Sequence, residues 1–422
     1  MRPLRFAIVT TSYPPYAEGE EGLSMQWLAR ALALRGHLVE VIHDTDTYRN
    51  RTGKLPHLPD RDHGIKVHRL RGGQARPFGA FRARVSGQPP AYSDRLRELL
   101  SGRFDVIHFH DIEPIGGAAL WSIGAGVKLQ SVEDYWMVCP KRDLMRSSGQ
   151  PCDTPSCGRC MLQAGRMPAH RAIDDFAPGH DTTGIDAFLV QSRATRERHW
   201  EAGFGFAMNV VPPFLPGAAP VLKAAEAPAH ERPFFLYDGP LTKGAALPEA
   251  IGQFSEDIDA DFLVIGRGPE TSTIRRIARQ RQNVHYLGPR PGVSRQALMR
   301  EALAVVLPKD DSGKVPVQAL SASREGTPVI ATGAGTGAEF VHGTGGGYHY
   351  STPPELRAIF YRLAHDPSHA RELGRKAFSG HARHWREDVA IEAYFDVIRD
   401  VAIRRGLPGL LGKLEPEMAR HA

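Results

Sequence analysis

The chain has 422 residues, of which 41% are hydrophobic and 24% charged. That excludes a disordered or fibrous protein and supplies core material for more than one domain. Its net charge of +6, from 53 basic and 47 acidic residues, is too mild to argue for nucleic acid, and no apolar run approaches a membrane span.

Phe6-Ala7-Ile8-Val9 is a short apolar run closed by turn residues, which predicts a buried parallel strand. It is too short for the apolar part of a secretory signal, and Pro14-Pro15 follows at once, so a cytoplasmic protein is expected. Met25, Leu28, Ala29 and Leu32 recur at helical spacing and Gly36 supplies a stop. Strands are expected at Leu38–Ile42, Val106–Phe109, Lys128–Val132 and Ala187–Val190. Between Lys66 and Arg103 lie nine basic residues against Asp94 and Glu98. A solvated Arg-rich face and a surface for anionic lipid or phosphate are both open readings. Residues 216–233, with four prolines and little periodicity, read as a linker. Strand signals then resume at Phe234–Tyr237, Phe262–Ile265, Val284–Leu287, Ala304–Leu307 and Val329–Ala331, and a last helix is expected over about 386–404 after a break near Ser379-Gly380. Strands alternating with helices predict parallel sheets, whose ligands sit at the carboxyl ends of the strands.

The loops at those ends carry the chemistry. After the first strand, Gly19 and Gly22 precede a helix start, beside Glu20 and Glu21. His110 and Asp111 end another strand, and Glu133 and Asp134 follow the next. The second half has four glycine loops: Gly239 with Lys243; Gly266-Arg267-Gly268; Asp310-Asp311-Ser312-Gly313-Lys314 ahead of Val315; and Gly333-Ala334-Gly335-Thr336. Glycines and exposed amides at helix starts favour anions, and a lysine adds a point charge. Together they predict a nucleotide-phosphate crevice. All four cysteines, Cys139, Cys152, Cys157 and Cys160, fall within 22 residues. The spacing suits a closed structural zinc site, with an iron–sulfur cluster, free thiols or disulfides as alternatives.

The ordered series YPP, ALRGH, DVIHFHD, EDYWMVCP, VVPPF, DGPLTKG, VIGRGPE, NVHYLG, EGTPVIAT and GAGTGAEF resembles the retaining GT-B glycosyltransferases of group 1 that use nucleotide-diphosphate sugars. The resemblance spans roughly residues 4–400 and includes a subset with the four-cysteine pattern. It implies an α/β chain of two Rossmann-like, doubly wound domains facing across a cleft. The acceptor domain would be 1–215, carrying the cysteine insertion 139–160, and the linker 216–233. The donor domain would be 234–385, and a helix at 386–405 would cross back to the first domain. It also implies a nucleotide-diphosphate sugar as co-substrate and no catalytic metal. Lys243 and the amides near Val315 would neutralise the leaving diphosphate, among donor contacts at Gly239, Gly266, Gly268, Asp310, Asp311, Gly313, Lys314, Ser321, Gly335 and Thr336. Gly19, Glu20, Glu21, His110, Asp111, Glu133 and Asp134 would meet the acceptor, with His110 and Glu133 at the reaction.

Three departures from the family pattern matter. Pro240 stands where the family has an Arg, Gly313 and Ser321 stand at the two family Glu positions, and Glu133 stands where a His precedes Asp-Tyr. Asp310 or Asp311 replacing the first Glu, and Lys314 replacing the Arg, are the compensations open; a non-catalytic sugar-nucleotide binder is the alternative. Acidic acceptor loops favour a small cationic acceptor, as in natural-product biosynthesis. A peripheral enzyme with a lipid-linked or polysaccharide acceptor is the competing reading, and oligomeric state is left open. A zinc-dependent nucleic-acid binder is disfavoured, because no aromatic residues interleave with the basic ones.

Overall fold

The computed structural model describes residues 2–17, 22–56, 61–62, 64–71, 93–146, 150–163, 182–217, 230–309 and 313–418. The chain forms two compact units. The first comprises Met1–Gln191, Arg196–Pro212 and Ala390–Ala422, and the second Ser192–Thr195 and Pro213–Val389.

The first unit is built on eight strands: β1 (Arg5–Thr10), β2 (Leu38–Asp44), β3 (Arg61–Asp62), β4 (Ile65–Leu70), β5 (Val106–His110), β6 (Val127–Ser131), β7 (Ala187–Val190) and β8 (Met208–Val210). Their order is β3-β4-β2-β1-β5-β6-β7-β8, parallel except for the β3–β4 pair. Phe6 to Val9 are buried, as continuous apolar strands covered on both faces must be. The chain runs outward in one direction from β1 and in the other from β5, so the loops after β1 and β5 diverge at a switch point. Register places Thr10 beside His110 at that edge.

The second unit has β9 (Phe234–Asp238), β10 (Asp261–Ile265), β11 (Val284–Tyr286), β12 (Ala304–Leu307), β13 (Val329–Thr332) and β14 (Gly347–Tyr350), all parallel, in the order β11-β10-β9-β12-β13-β14. Its switch point lies between β9 and β12. Phe235, Phe254 and Phe360 meet edge to face at the centre of its core, with ring centroids 4.9–5.7 Å apart.

The Ser379-Gly380 break is not present. The helix Pro367–His384 runs through it and ends at Trp385, and Glu387–Arg404 forms the next helix. Gly380 serves close packing instead: a Cβ there would lie 2.5 Å from the Thr344 Cα. Strands β4, β8 and β14 were not legible as apolar runs, nor was the helix Pro408–Met418. No described helix is long and apolar enough to cross a membrane.

From Ala390 on, the C-terminal segment packs on the first sheet. Tyr394 stacks on His108 with centroids 5.5 Å apart and its hydroxyl lies 3.2 Å from His108 Nδ1. Arg405 pairs with Asp186 and Lys413 with Asp105.

Candidate active site

At the switch point of the second sheet, two strand-end loops are joined through their backbones. The Gly239 amide donates to the Ile265 carbonyl at 3.3 Å, Leu241 to Arg267 at 3.1 Å, and Glu270 to Leu241 at 2.9 Å. Only glycine permits this approach. A Cβ on Gly266, whose φ is +131°, would lie 1.9 Å from the Gly239 oxygen, and one on Gly268 would lie 2.4 Å from the Leu241 oxygen. The Tyr237 hydroxyl donates to the Pro240 carbonyl and the Tyr286 hydroxyl to the Gly266 carbonyl, which fixes the pair from below.

Lys243 opens a 3-10 turn on this platform, Lys243–Ala245, and is exposed. No carboxylate pairs with it or with the exposed Arg267 among the described residues. Asp238, buried at the end of β9, is instead taken by Arg295 of the helix Gly292–Glu301. Burial raises the Asp238 carboxyl above its ordinary value, against the pull of Arg295. Across the switch point, Gly313 is buried with φ +74°, and its carbonyl accepts from Thr195 at 2.6 Å. The Lys314 carbonyl accepts from the buried Thr336 hydroxyl at 2.6 Å, while the Lys314 residue itself is exposed. Val315 is buried just ahead of the helix Val317–Arg324, and Gly335 starts the helix Gly335–Thr344. Gly239, Lys243, Gly266, Gly268, Gly313, Lys314, Val315, Gly335 and Thr336 therefore sit on strand-end loops or the helix starts that follow them. Ser321 stands a turn into its helix, half-buried. Asp310 and Asp311 lie outside the described residues.

At the switch point of the first sheet, His110 is the last residue of β5 and Glu133 follows β6. Glu133 Oε1 accepts from Gln191 Nε2 at 2.8 Å and from Ser24 Oγ at 3.2 Å, and its Oε2 lies 3.7 Å from His110 Nε2. The His110 side chain is 4% exposed, and its Nδ1 is buried without a hydrogen-bond partner among the described residues, a costly state unless something else meets it. His108 beneath is held far below the usual imidazole value, at about 3, by burial and by His110, with Glu133 opposing. It is therefore neutral and structural, bonded to Ser131 and Tyr394.

Asp111 and Asp134 share Arg142, at 2.8 and 2.6 Å, with Glu113 at 3.7 Å. Burial disfavours the Arg142 charge, but Asp111 and Asp134 outweigh it and hold the guanidinium above its ordinary value. Ser24, Gln191 and Arg142 carried no signal in the sequence, because Ser24 and Gln191 meet Glu133 across 109 and 58 residues and Arg142 meets Asp111 across 31. Gly19, Glu20 and Glu21 lie outside the described residues, as do Arg76, Arg82 and Arg84 of the basic stretch. Arg95, Arg97 and Lys66 of that stretch pair with Glu98, Asp94 and Glu40.

The cysteines are free thiols. Cys139 is buried with Tyr135 and Leu144, Cys152 is on a turn, and Cys157 and Cys160 lie on the helix Cys157–Gln163. Burial raises the Cys152 and Cys157 thiols, and the neighbouring cysteines raise them further. The sulfurs are thus neighbours, close enough to act on one another's charge. Cys139 is anchored in an apolar cluster, and the other three are more exposed.

Two open, mainly parallel sheets in one chain, with exposed cations on glycine loops at one switch point and a histidine–carboxylate pair at the other, define the two-domain GT-B class. The family model described as "Glycosyl transferases group 1" matches residues 240–366, and "Glycosyl transferase 4-like domain" matches residues 22–214. The chain belongs to the group 1 glycosyl transferases. No curated protein matches it by sequence. Among solved structures it is similar to a sucrose-phosphate synthase from Thermosynechococcus elongatus, with 16% identity and TM-score 0.69, covering 92% of this chain and 97% of that one. It is also similar to HepE of Anabaena in complex with UDP-glucose, with 13% identity and TM-score 0.64, covering 94% and 99%. A third is AviGT4, a glycosyltransferase involved in avilamycin A biosynthesis, with 19% identity and TM-score 0.54, covering 94% and 98%.

Proposed function

We propose that the protein transfers a sugar from a nucleotide-diphosphate donor, bound on the second unit, to a small cationic acceptor held at Glu133, with retention of anomeric configuration. The observation that carries the donor half is Lys243, exposed and without a carboxylate partner among the described residues, on a loop whose backbone is locked to its neighbour by Gly266 and Gly268. As the anomeric bond breaks, the diphosphate gathers negative charge. Lys243, with the helix start behind Val315, stabilises that charge. The departing phosphate then takes the acceptor proton on the face it leaves, which gives retention. HepE binding UDP-glucose, on a similar fold, supports a sugar nucleotide as co-substrate.

Glu133 supports the cationic acceptor: its carboxylate sits at the strand ends, accepting from the neutral donors Gln191 and Ser24. AviGT4, involved in avilamycin A biosynthesis, agrees with a role in small-molecule biosynthesis. The test is a panel of nucleotide sugars scored for transfer and hydrolysis. Lys243→Ala should lower turnover by about 10²–10³-fold. Equal turnover in the variant would remove the leaving-group assignment.

A second reading, a sugar-nucleotide binder without turnover, is favoured by Gly313 and Ser321, neither of which can place a carboxylate on the donor. Saturable binding of a sugar nucleotide with no product from any acceptor in the panel would establish it.

A further inference from the structure

At the opposite edge of the second sheet, where its strands begin, three ligating side chains meet. Asp261 opens β10, and its carboxylate is 4% exposed. Its Oδ2 lies 2.6 Å from His230 Nε2 and 3.2 Å from His285 Nε2. One ligand atom from each of the three residues lies within 4.8 Å of the others. They come from separate stretches: His230 from the segment entering β9, Asp261 from β10 and His285 from β11.

The surroundings favour a cation. Asp261 Oδ1 is occupied by Arg232 at 2.8 Å, which leaves Oδ2 to bind through one oxygen. Arg232 also pairs with Asp259 at 3.0 Å. Two carboxylates against one guanidinium leave one negative charge, and metal-ligating imidazoles are neutral. The His230 ring is held edge-on to Phe234, with centroids 5.6 Å apart, so its aim is fixed by packing. His230 and His285 are 24% and 38% exposed, which leaves the outer side open to water.

We propose that His230, Asp261 and His285 bind a divalent transition-metal cation, zinc foremost, through two imidazole nitrogens and one carboxylate oxygen. Two nitrogens and one oxygen suit borderline cations, whereas calcium and magnesium take oxygen-rich sites. The site lies at the strand starts, away from the sugar-transfer loops. Its role would be to tie the incoming segment to β10 and β11, and a cation bound only by the folded state would stabilise the second unit. The assignment is independent of the glycosyl-transfer reading.

The test uses the full chain, stripped with a chelator and titrated with Co²⁺, then with Zn²⁺ in competition. A site of nitrogen and oxygen ligands gives visible cobalt absorption without the near-ultraviolet thiolate-to-cobalt band that the four cysteines would produce. The expected result is a single thiolate-free equivalent of Co²⁺, displaced by Zn²⁺, with a rise in melting temperature. His285→Ala and, separately, His230→Gln should each weaken that equivalent by about tenfold or more, while the metal-free melts stay close to wild type. The proposal is overturned if the stripped protein binds no thiolate-free Co²⁺, if both variants bind it as tightly as wild type, or if Mg²⁺ competes as well as Zn²⁺. If both substitutions unfold the chain, the wild-type spectrum alone decides.

Discussion

Glu133 and His110 lie 3.7 Å apart, close enough to influence one another and too far for a firm hydrogen bond. Glu133→Gln keeps the shape and removes the charge, so the KM for a cationic acceptor should rise by about tenfold or more. A neutral acceptor should change little; equal binding of the cationic acceptor to wild type and variant would show that the charge is not read.

Histidine also sets a pH dependence. His381 is lowered to about 4 by burial and by Arg324, and His43 to about 4 by burial. An imidazole with a depressed folded value binds its proton more readily when unfolded. Its contribution to stability is therefore present above about pH 6.5 and lost as the pH falls toward 4. Asp44 and Asp238, raised by burial, act in the opposite sense, so the histidine must be isolated by difference. Urea unfolding at pH 7.5 and 5, in wild type and His381→Gln, should show a smaller loss on acidification in the variant. Parallel losses would contradict the assignment. Of the candidate residues, the placement of those at the ends of apolar strands was legible: Lys243, His110 and Glu133 each follow or close such a run. Arg142 was not, because nothing local marks an arginine that gathers Asp111, Glu113 and Asp134 from elsewhere.

At the level of elements, the glycine loops are specific tests of how the second switch point is built. Gly268→Ala would force a Cβ against the Leu241 oxygen, where the 2.4 Å approach leaves no room. The loops must part, at a cost of about 1–3 kcal/mol in the second unit. Denaturant midpoints read the cost directly, and the affinity for a nucleoside diphosphate should fall with it. An unchanged midpoint would mean the loops are not locked together. The same element logic explains what the sequence showed and hid. Central strands such as Phe234–Asp238 are buried throughout because both faces are covered, and apolar up to the aspartate that closes this one. Strands at or beside an edge are not: β4, flanked on its outer side only by the two-residue β3, reads IKVHRL and is partly exposed, and β14 at the other sheet's edge reads GYHY. The helix over Pro367–His384 was hidden by Gly380, whose role is the contact with Thr344 rather than a stop.

On the scale of the whole chain, the first unit is assembled from its two ends, since Ala390–Ala422 packs with Met1–Gln191. Tyr394 is fully enclosed there, against His108, Phe6 and Phe395. Tyr394→Ala should cost the first unit about 3–5 kcal/mol, seen as an early transition that leaves the second unit's melt in place. A single unshifted transition would contradict this.

The interrupted path of the first unit also orders events during synthesis. As the ribosome releases the chain, residues 213–389 are complete before the segment that caps the first sheet has emerged. The unit begun first is finished last. Until Tyr394 and its neighbours arrive, Phe6 and His37 await their cover, and the nascent chain carries that apolar face as a chaperone's natural target.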